Sequence, residues 1–356
     1  MKIKDCLSLM VERDASDLFY RAGGPVRLRI DGKIFAASDA VLNVDDVRRA
    51  LDELTSVPQR DAFRQHMDID FGLWLEEFHQ RFRVCIFMQR NTPSLVIRQV
   101  KQEIKSFEAL NLPREVLEKL CREGRGLVLL TGSTGSGKST AIASMIEYIN
   151  NNFRKHILTV EEPIEFTFKD KQAIINQREL SRDVSSYEIA LKAFTLQSPD
   201  VIYIGNIRDY ETMSTALTAA ETGSLVLSTL HTINAHQSIE RMINLFPPHM
   251  HEHVAIQLSN LLKGVISLRL IPLKDKEGRI PAYESMVLTP TIARLVRERK
   301  LWEVPHYIED GAIFGMQTFN QSLSGLVKNG IISVEDALEF SDSRDELLLA
   351  LKGFRK

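Results

Sequence analysis

Long apolar runs are missing from this sequence. No stretch approaches the roughly 20 residues that a membrane-spanning helix requires, and the opening MKIKDCLSLMVERD has neither the apolar core nor the small-residue cleavage site of a secretory signal. Cysteine is scarce. Cys6, Cys85 and Cys121 are scattered and show no CxxC spacing, which suits buried thiols in a reducing, cytoplasmic setting. An excess of either charge is lacking as well: 45 Lys and Arg stand against 47 Asp and Glu, a formal net charge of −2. That balance offers no electrostatic case for nucleic acid or an anionic membrane. The sequence also has no basic, aromatic-interleaved stripe of the kind a nucleic-acid motor uses. Internal repeats and low-complexity segments are absent.

What is present is an ordinary globular composition, 44% hydrophobic and 26% charged over 356 residues, a length that suggests two domains. Residues 1–100 have the pattern of a small α+β domain. Helical spacing covers Ile3 to Glu12, and the strands SDLFYRA and VRLRI are separated by a Gly23-Gly24-Pro25 turn and followed by an Asp31-Gly32 turn. Helices are expected over Val44–Thr55 and Pro58–Gln65, then alternating strands in FGLWLE, RFRVCIFMQR and LVIRQV. Residues 101–113, KQEIKSFEALNLP, are expected to be a solvated linker. From 114 to 290, apolar strands (GLVLLTG, HILTVEE, VIYIGN, SLVLSTL) alternate with helices over Thr140–Asn150, Tyr187–Leu196, Asp209–Thr222 and Asn234–Leu245, the signature of a mostly parallel α/β sheet. Residues 291–356 show a run of short helices.

The strongest signal is a phosphate-binding loop. Gly132, Ser133, Thr134, Gly135, Ser136, Gly137, Lys138 and Ser139 match G-x4-G-K-[ST], with an apolar strand before them and a helix starting near Thr140. Small residues let the backbone curl and aim N–H groups at phosphate oxygens. The helix N-terminus adds a positive dipole. In such a loop Lys138 reaches the β- and γ-phosphates and the Ser139 hydroxyl ligates Mg²⁺.

Other polar groups lie at strand ends, where open α/β sheets bind ligands. Glu161, Glu162 and Glu165 surround Pro163; such carboxylates either hold a metal or a catalytic water, or form a solvated acidic turn. His231 either senses the γ-phosphate or is structural. Arg83 and Arg98 are fifteen residues apart on strands flanking a turn-like NTPS; they either present paired guanidiniums to phosphate or make surface salt bridges.

Together these residues resemble the type IV pilus retraction ATPases, the PilT and PilU family within the secretion ATPase superfamily. SDLF at Ser16 to Phe19 is similar to its N-terminal motif, GSTGSGKST to its Walker A loop, and EEPIEF to its aspartate box. QREL at Gln177 to Leu180, AAETGSLVLSTLHT with His231, TIARLVRERK from Thr291 and GMQTFNQSL from Gly315 resemble later family motifs, in the family's order. RFRVCIFMQRN, RLIPLKDKEGRIPAYE and the extended C-terminus lean towards the PilU-like accessory branch.

The resemblance implies a PAS-like N-terminal α+β domain followed by a RecA-like P-loop α/β domain with a C-terminal helical segment. Nucleotide is expected between the two domains. It implies a homo-hexamer that uses ATP and Mg²⁺ to retract pili at the cytoplasmic side of the inner membrane. Its expected partners are a paralogous retraction ATPase and the pilus platform protein, with no nucleic acid. Glu165 maps onto the general base, Glu162 onto a metal-side carboxylate, His231 onto the histidine-box histidine, and Arg83 and Arg98 onto the γ-phosphate arginines. A ring that binds nucleotide and assists an active paralogue, with little hydrolysis of its own, is the alternative.

This sequence departs from the family pattern in EEPIE for EDPIE, in Leu196 where arginine is usual, and in GNIRD for GE-x-RD. Asn206 therefore stands where a glutamate orients water on Mg²⁺. It can accept a hydrogen bond but carries no charge. A unit-charge pair at about 4 Å and an effective dielectric of about 20 is worth roughly 4 kcal/mol before screening. Losing even part of that would slow hydrolysis tenfold or more, since about 1.4 kcal/mol is one decade. Nucleotide binding should suffer less.

Overall fold

The computed structural model describes residues 2–30, 32–78, 80–100, 103–194, 196–275 and 277–352. The chain divides into two compact units, one of Met1–Glu103 with Pro163–Phe166, the other of Ile104–Glu162 with Thr167–Lys356.

The first unit runs α1 (Ile3–Glu12), β1 (Asp17–Arg21), β2 (Pro25–Ile30), β3 (Lys33–Val41), α2 (Val44–Leu54), α3 (Val57–His66), β4 (Asp68–Leu75), β5 (Gln80–Gln89) and β6 (Thr92–Val100). Among the described residues its sheet has the order β3-β2-β1-β6-β5-β4, with every pair antiparallel. One face is covered by helices. α1 buries Ile3, Cys6, Leu7 and Met10, the i, i+3, i+4, i+7 stripe of an amphipathic helix. They meet Phe82, Val84 and Ile86 of β5 and Leu95 and Ile97 of β6, alternate residues that point to one side of the pleat. The other face therefore carries Arg81, Arg83 and Arg98. Lys33–Val41 is a third strand of this meander, beyond the two short strands expected there.

The second unit runs α4 (Arg114–Cys121), β7 (Gly126–Thr131), α5 (Lys138–Asn152), β8 (His156–Glu161), β9 (Ile174–Glu179), α6 (Tyr187–Phe194), β10 (Val201–Ile204), α7 (Tyr210–Glu221), β11 (Leu225–Leu230), α8 (Ala235–Asn244), α9 (His251–Leu261), β12 (Leu262–Pro272), β13 (Arg279–Val287), α10 (Pro290–Arg297), α11 (Val304–Glu309), α12 (Phe319–Lys328), α13 (Val334–Glu339) and α14 (Arg344–Leu351). Among the described residues the sheet order is β13-β12-β7-β11-β10-β8-β9, parallel except for the β12–β13 hairpin. Every residue of β7, β10 and β11 is buried, as expected of central parallel strands covered on both faces. β9, β12 and β13 were not expected as strands. A smaller apolar cluster joins Ile271, Ile280 and Ala282 of the hairpin to Phe319 and Leu323 of α12 and Leu347 of α14.

Three sequence expectations need correction. The solvated linker over 101–113 is not one: from Ile104 the chain belongs to the second unit, and Phe107 and Leu112 are buried in its core. The charge run hid these apolar anchors. Lys101 and Gln102 lie outside the described residues, as does Asp31 of the expected Asp31-Gly32 turn. The turn between Arg83 and Arg98 falls earlier than NTPS. Gln89 pairs with Thr92, and Arg90 and Asn91 both take positive φ, the geometry of a two-residue hairpin turn. The division expected at 100 and 114 falls between Glu103 and Ile104, and Pro163–Phe166 is grouped with the first unit.

Candidate functional site

The phosphate loop leaves the end of β7 and enters α5 through Gly137, whose φ of 95° only glycine adopts without strain. Gly132 is constrained further: at φ 140° an added Cβ would sit 2.5 Å from the Leu268 carbonyl oxygen and 2.6 Å from Ser136 Oγ. Ser133, Thr134 and Gly135 form the exposed crest, while Ser139 and Thr140 are half-buried on the first turn of α5. Lys138 is buried and its Nζ donates to the Gly132 and Ser133 carbonyls, each at 2.8 Å, so the ammonium lies inside the loop. Ser136 Oγ is buried and has no hydrogen-bond partner among the described residues.

Asn206 follows β10, two strands away from the phosphate loop. It is 8% exposed, and its Oδ1 likewise has no hydrogen-bond partner among the described residues. Backbone ties hold its surroundings: Gly205 N–H donates to Val160 O at 2.8 Å, Thr229 Oγ1 to Gly205 O at 2.8 Å, and Ile207 N–H to Thr229 O at 3.2 Å. Leaving a buried polar atom unpaired costs about 1–3 kcal/mol, so the two orphaned oxygens mark places that suit a polar ligand.

The glutamates at the end of β8 have different surroundings. Glu161 is buried and accepts from Thr159 Oγ1 at 2.7 Å and Gln177 Nε2 at 3.0 Å. Glu162 is exposed and paired with Arg208 Nη1 at 3.2 Å. Glu165 is exposed and belongs to the first unit. His231 follows β11, and burial together with Lys138 and Arg208 pushes its pKa below the ordinary value. It is thus neutral at pH 7, able to give or take a hydrogen bond. Sequence reasoning missed Tyr187, whose hydroxyl would lie 3.4 Å from a Cβ at Gly205. Burial, then the Glu162 charge, raises its pKa, so the phenol stays protonated. No sequence signal distinguished it. Leu196, where the family carries arginine, is 88% exposed.

In the first unit Arg83 and Arg98 are opposite partners in the β5–β6 ladder, so both guanidiniums share the helix-free face. Arg83 Nε donates to both oxygens of Asp70 at 3.0 and 2.9 Å, and Arg98 Nε to Asp17 Oδ1 at 3.0 Å. The Asp70 hydrogen bond raises the Arg83 pKa, and Glu165 is among the charges that add to it. Arg81 is buried instead, donating Nε to the Ile164 carbonyl at 3.1 Å, which anchors the stretch that carries Glu165.

Among the described residues no group of three or more His, Cys, Asp or Glu side chains is arranged to hold a metal. The donors near the loop are hard oxygens, which suits a Mg²⁺ that arrives with phosphates and takes only one or two protein ligands. Ser139 fits that role. Glu162 would have to release Arg208 to share it. No helix among the described residues is long and apolar enough to cross a membrane.

The family model "Type II/IV secretion system protein" matches residues 2–339. The chain is 39% identical over 352 residues to "Type IV pilus ATPase PilU" of Pseudomonas aeruginosa, covering 99% of this chain and 92% of that one. It is 40% identical over 339 residues to "Type IV pilus retractation ATPase PilT" of the same organism, covering 95% and 98%. A solved structure described as the pilus retraction motor PilT with bound ADP superposes with a TM-score of 0.90 at 42% identity, over 97% of this chain and 98% of that one. A Legionella pneumophila ATPase, DotB, shares the fold at a TM-score of 0.77 and 24% identity. A fully formed phosphate loop on a parallel sheet and this full-length likeness agree: the chain belongs to the type II/IV secretion system protein family, and within it to the PilT/PilU group of P-loop ATPases.

Proposed function

We propose that this chain is a motor subunit of type IV pilus retraction whose ATP hydrolysis is slowed by Asn206. The carrying observation is the pairing of an intact phosphate loop, Lys138 closed inside it, with Asn206, a buried uncharged side chain whose Oδ1 has no partner among the described residues. The relatives named PilU and PilT, and a 38% identical "Twitching motility protein" of Neisseria gonorrhoeae, support the biological setting. In this proposal the loop amides and the N-terminus of α5 hold the phosphates and Lys138 turns from its carbonyl partners to the β- and γ-phosphates. Ser139 and Glu162 hold the metal. Mg²⁺ supplies neutralisation of the charge that develops on the phosphate oxygens. Glu165 is the general base, His231 reports on the γ-phosphate, and Arg83 and Arg98 offset its charge. The unit acts as a homo-hexamer in the cytoplasm, beside the inner-membrane platform protein.

The uncharged Asn206 also favours a second reading, an accessory ring that binds nucleotide and works with a paralogous retraction ATPase. Steady-state phosphate release from the purified protein, with Asn206→Glu beside it and Glu165→Gln as the blank, separates the two. Turnover above the blank and raised at least tenfold by Asn206→Glu supports a slowed motor. Turnover at the blank level, with ATP still bound, supports the accessory ring. Wild-type turnover equal to that of Asn206→Glu sinks the idea that Asn206 limits hydrolysis.

A further inference from the structure

The loop that carries His231 is held by two side chains of the β12–β13 hairpin, Glu284 and Arg269. Glu284 of β13 is only 4% exposed, and its Oε1 accepts a hydrogen bond from the Ala235 N–H, the first residue of α8, at 2.7 Å. Arg269 of β12 donates Nη2 to the Ile233 carbonyl at 3.4 Å. In the hairpin Glu284 pairs with Ser267 and Ala282 with Arg269, so the two charged groups lie on one face. The loop between them is short and internally tied, with Thr232 Oγ1 and Ser238 Oγ 2.6 Å apart and Ser238 Oγ donating to Asn234 O at 2.6 Å.

Arg269 also reaches the C-terminal helices. Its Nη1 donates to the Phe340 carbonyl at 2.5 Å, its Nη2 to Asp342 Oδ1 at 2.5 Å, and its guanidinium lies 3.7 Å from the centroid of the Phe319 ring. Phe319 opens α12, and Phe340 and Asp342 lie between α13 and α14. One guanidinium thus touches the His231 loop and three points of the C-terminal segment.

We propose that Glu284 and Arg269 are positioning residues for His231, which tie its loop to α12–α14 so that the packing of the C-terminal helices sets where the imidazole sits. This inference rests on His231 facing the nucleotide, as proposed above. The stiffness of the link has a physical source. A buried carboxylate on a helix N-terminus is bound by both the N–H and the helix dipole, and a planar guanidinium can serve several acceptors and a ring face at once. Burial raises the Glu284 carboxyl to about 7, with the Asp342 charge acting in the same direction and the Ala235 N–H and Arg269 opposing it. His236 of α8 faces Asp342 and Glu240, and burial keeps it below its ordinary pKa.

The test uses the full-length protein. Glu284→Ala and Arg269→Ala should lower kcat for ATP about tenfold with KM changed less than threefold, and should speed backbone hydrogen exchange in residues 231–238 while leaving the phosphate loop protected. Glu284→Gln, which keeps an acceptor oxygen, should restore kcat to within about threefold. In a His231→Ala background Glu284→Ala should cost nothing more. Two results overturn the proposal: unchanged exchange at residues 231–238 in both alanine variants, or a full further loss in the His231→Ala background. If His231→Ala alone leaves turnover intact, the sensing role of His231 fails; faster exchange in Glu284→Ala then still sustains the tether, and unchanged exchange ends it.

Discussion

Arg83 stands directly opposite Arg98 in the β5–β6 ladder, and each guanidinium is already engaged by a carboxylate, Asp70 for one and Asp17 for the other. Like charges across a strand pair repel, and the aspartates offset this. Asp17 also holds Arg29 at 3.1 Å, so one carboxylate joins Arg98 to Arg29 while Asp70 holds Arg83. Any phosphate taken up here must compete with Asp70 and Asp17 for the guanidiniums.

Replacing either arginine should therefore affect turnover far more than folding. Arg83→Ala and Arg98→Ala are each expected to lower ATP turnover at least tenfold, a loss of about 1.4 kcal/mol or more. The Arg83–Asp70 pair is half-exposed, and such pairs contribute only about 0–1 kcal/mol to stability; buried Asp17 keeps Arg29 as its partner when Arg98 is removed, so Tm should fall by a few degrees at most. Phosphate release and thermal melting on the same preparations check both halves.

Asn206→Glu should raise turnover at least tenfold, but only with Mg²⁺. Asn206 is only 8% exposed, and an unpaired carboxylate buried in its place is destabilising. Without metal and nucleotide the variant should melt below wild type; MgADP should recover the difference. Melting curves with and without MgADP, and turnover before and after chelation, test this.

Gly132→Ala should abolish ATP binding and destabilise the fold, because the new Cβ meets the Leu268 carbonyl and Ser136 Oγ at 2.5 and 2.6 Å, at a φ of 140°. Gly135→Ala is the contrast. Nothing lies within 4 Å of its Cβ, and only its φ of 79° is strained, a cost of about 1–2 kcal/mol. Urea unfolding should rank Gly132→Ala clearly below Gly135→Ala, and a fluorescent ATP analogue should bind only the latter.

Glu284 gives a pH signature in stability. Its folded pKa of about 7 lies above the ordinary glutamate value of 4.5, so the folded state holds an extra proton between the two. The stability this contributes is fully present below about 4.5 and is lost as pH rises through about 7. Each tenfold change in proton affinity is worth about 1.4 kcal/mol, so the loss is on the order of 3 kcal/mol. Glu284→Gln should remove that decline, and the wild-type minus variant difference in denaturant stability between about pH 4.5 and about pH 7.5 measures it. A difference that stays flat over this range excludes the raised carboxyl.

Much of this protein was legible from local pattern. The phosphate loop needs glycines, a lysine and a hydroxyl at fixed spacing, with a strand before and a helix after, and β7 and α5 supply them. The stripe Ile3, Cys6, Leu7, Met10 announced α1 with its observed bounds. Less legible were β12 and β13, whose mixed composition masks an antiparallel hairpin that finishes the sheet. The supposed linker failed because a run of charges drew attention from Phe107 and Leu112, which the second core absorbs.

The sequence by itself determined the nucleotide chemistry, the strand-and-helix alternation and the substitution at Asn206, since each depends on neighbours a few residues apart. Tertiary structure decided what those residues face. It buried Glu161, paired Glu162 with Arg208 and assigned Glu165 to the first unit, although all three lie within one short stretch. It set Arg83 against Arg98 and joined Glu284 to Ala235 across 49 residues of chain. Such contacts depend on strand register and sheet order, which arise only when distant segments bury apolar surface together, and no local spacing encodes them.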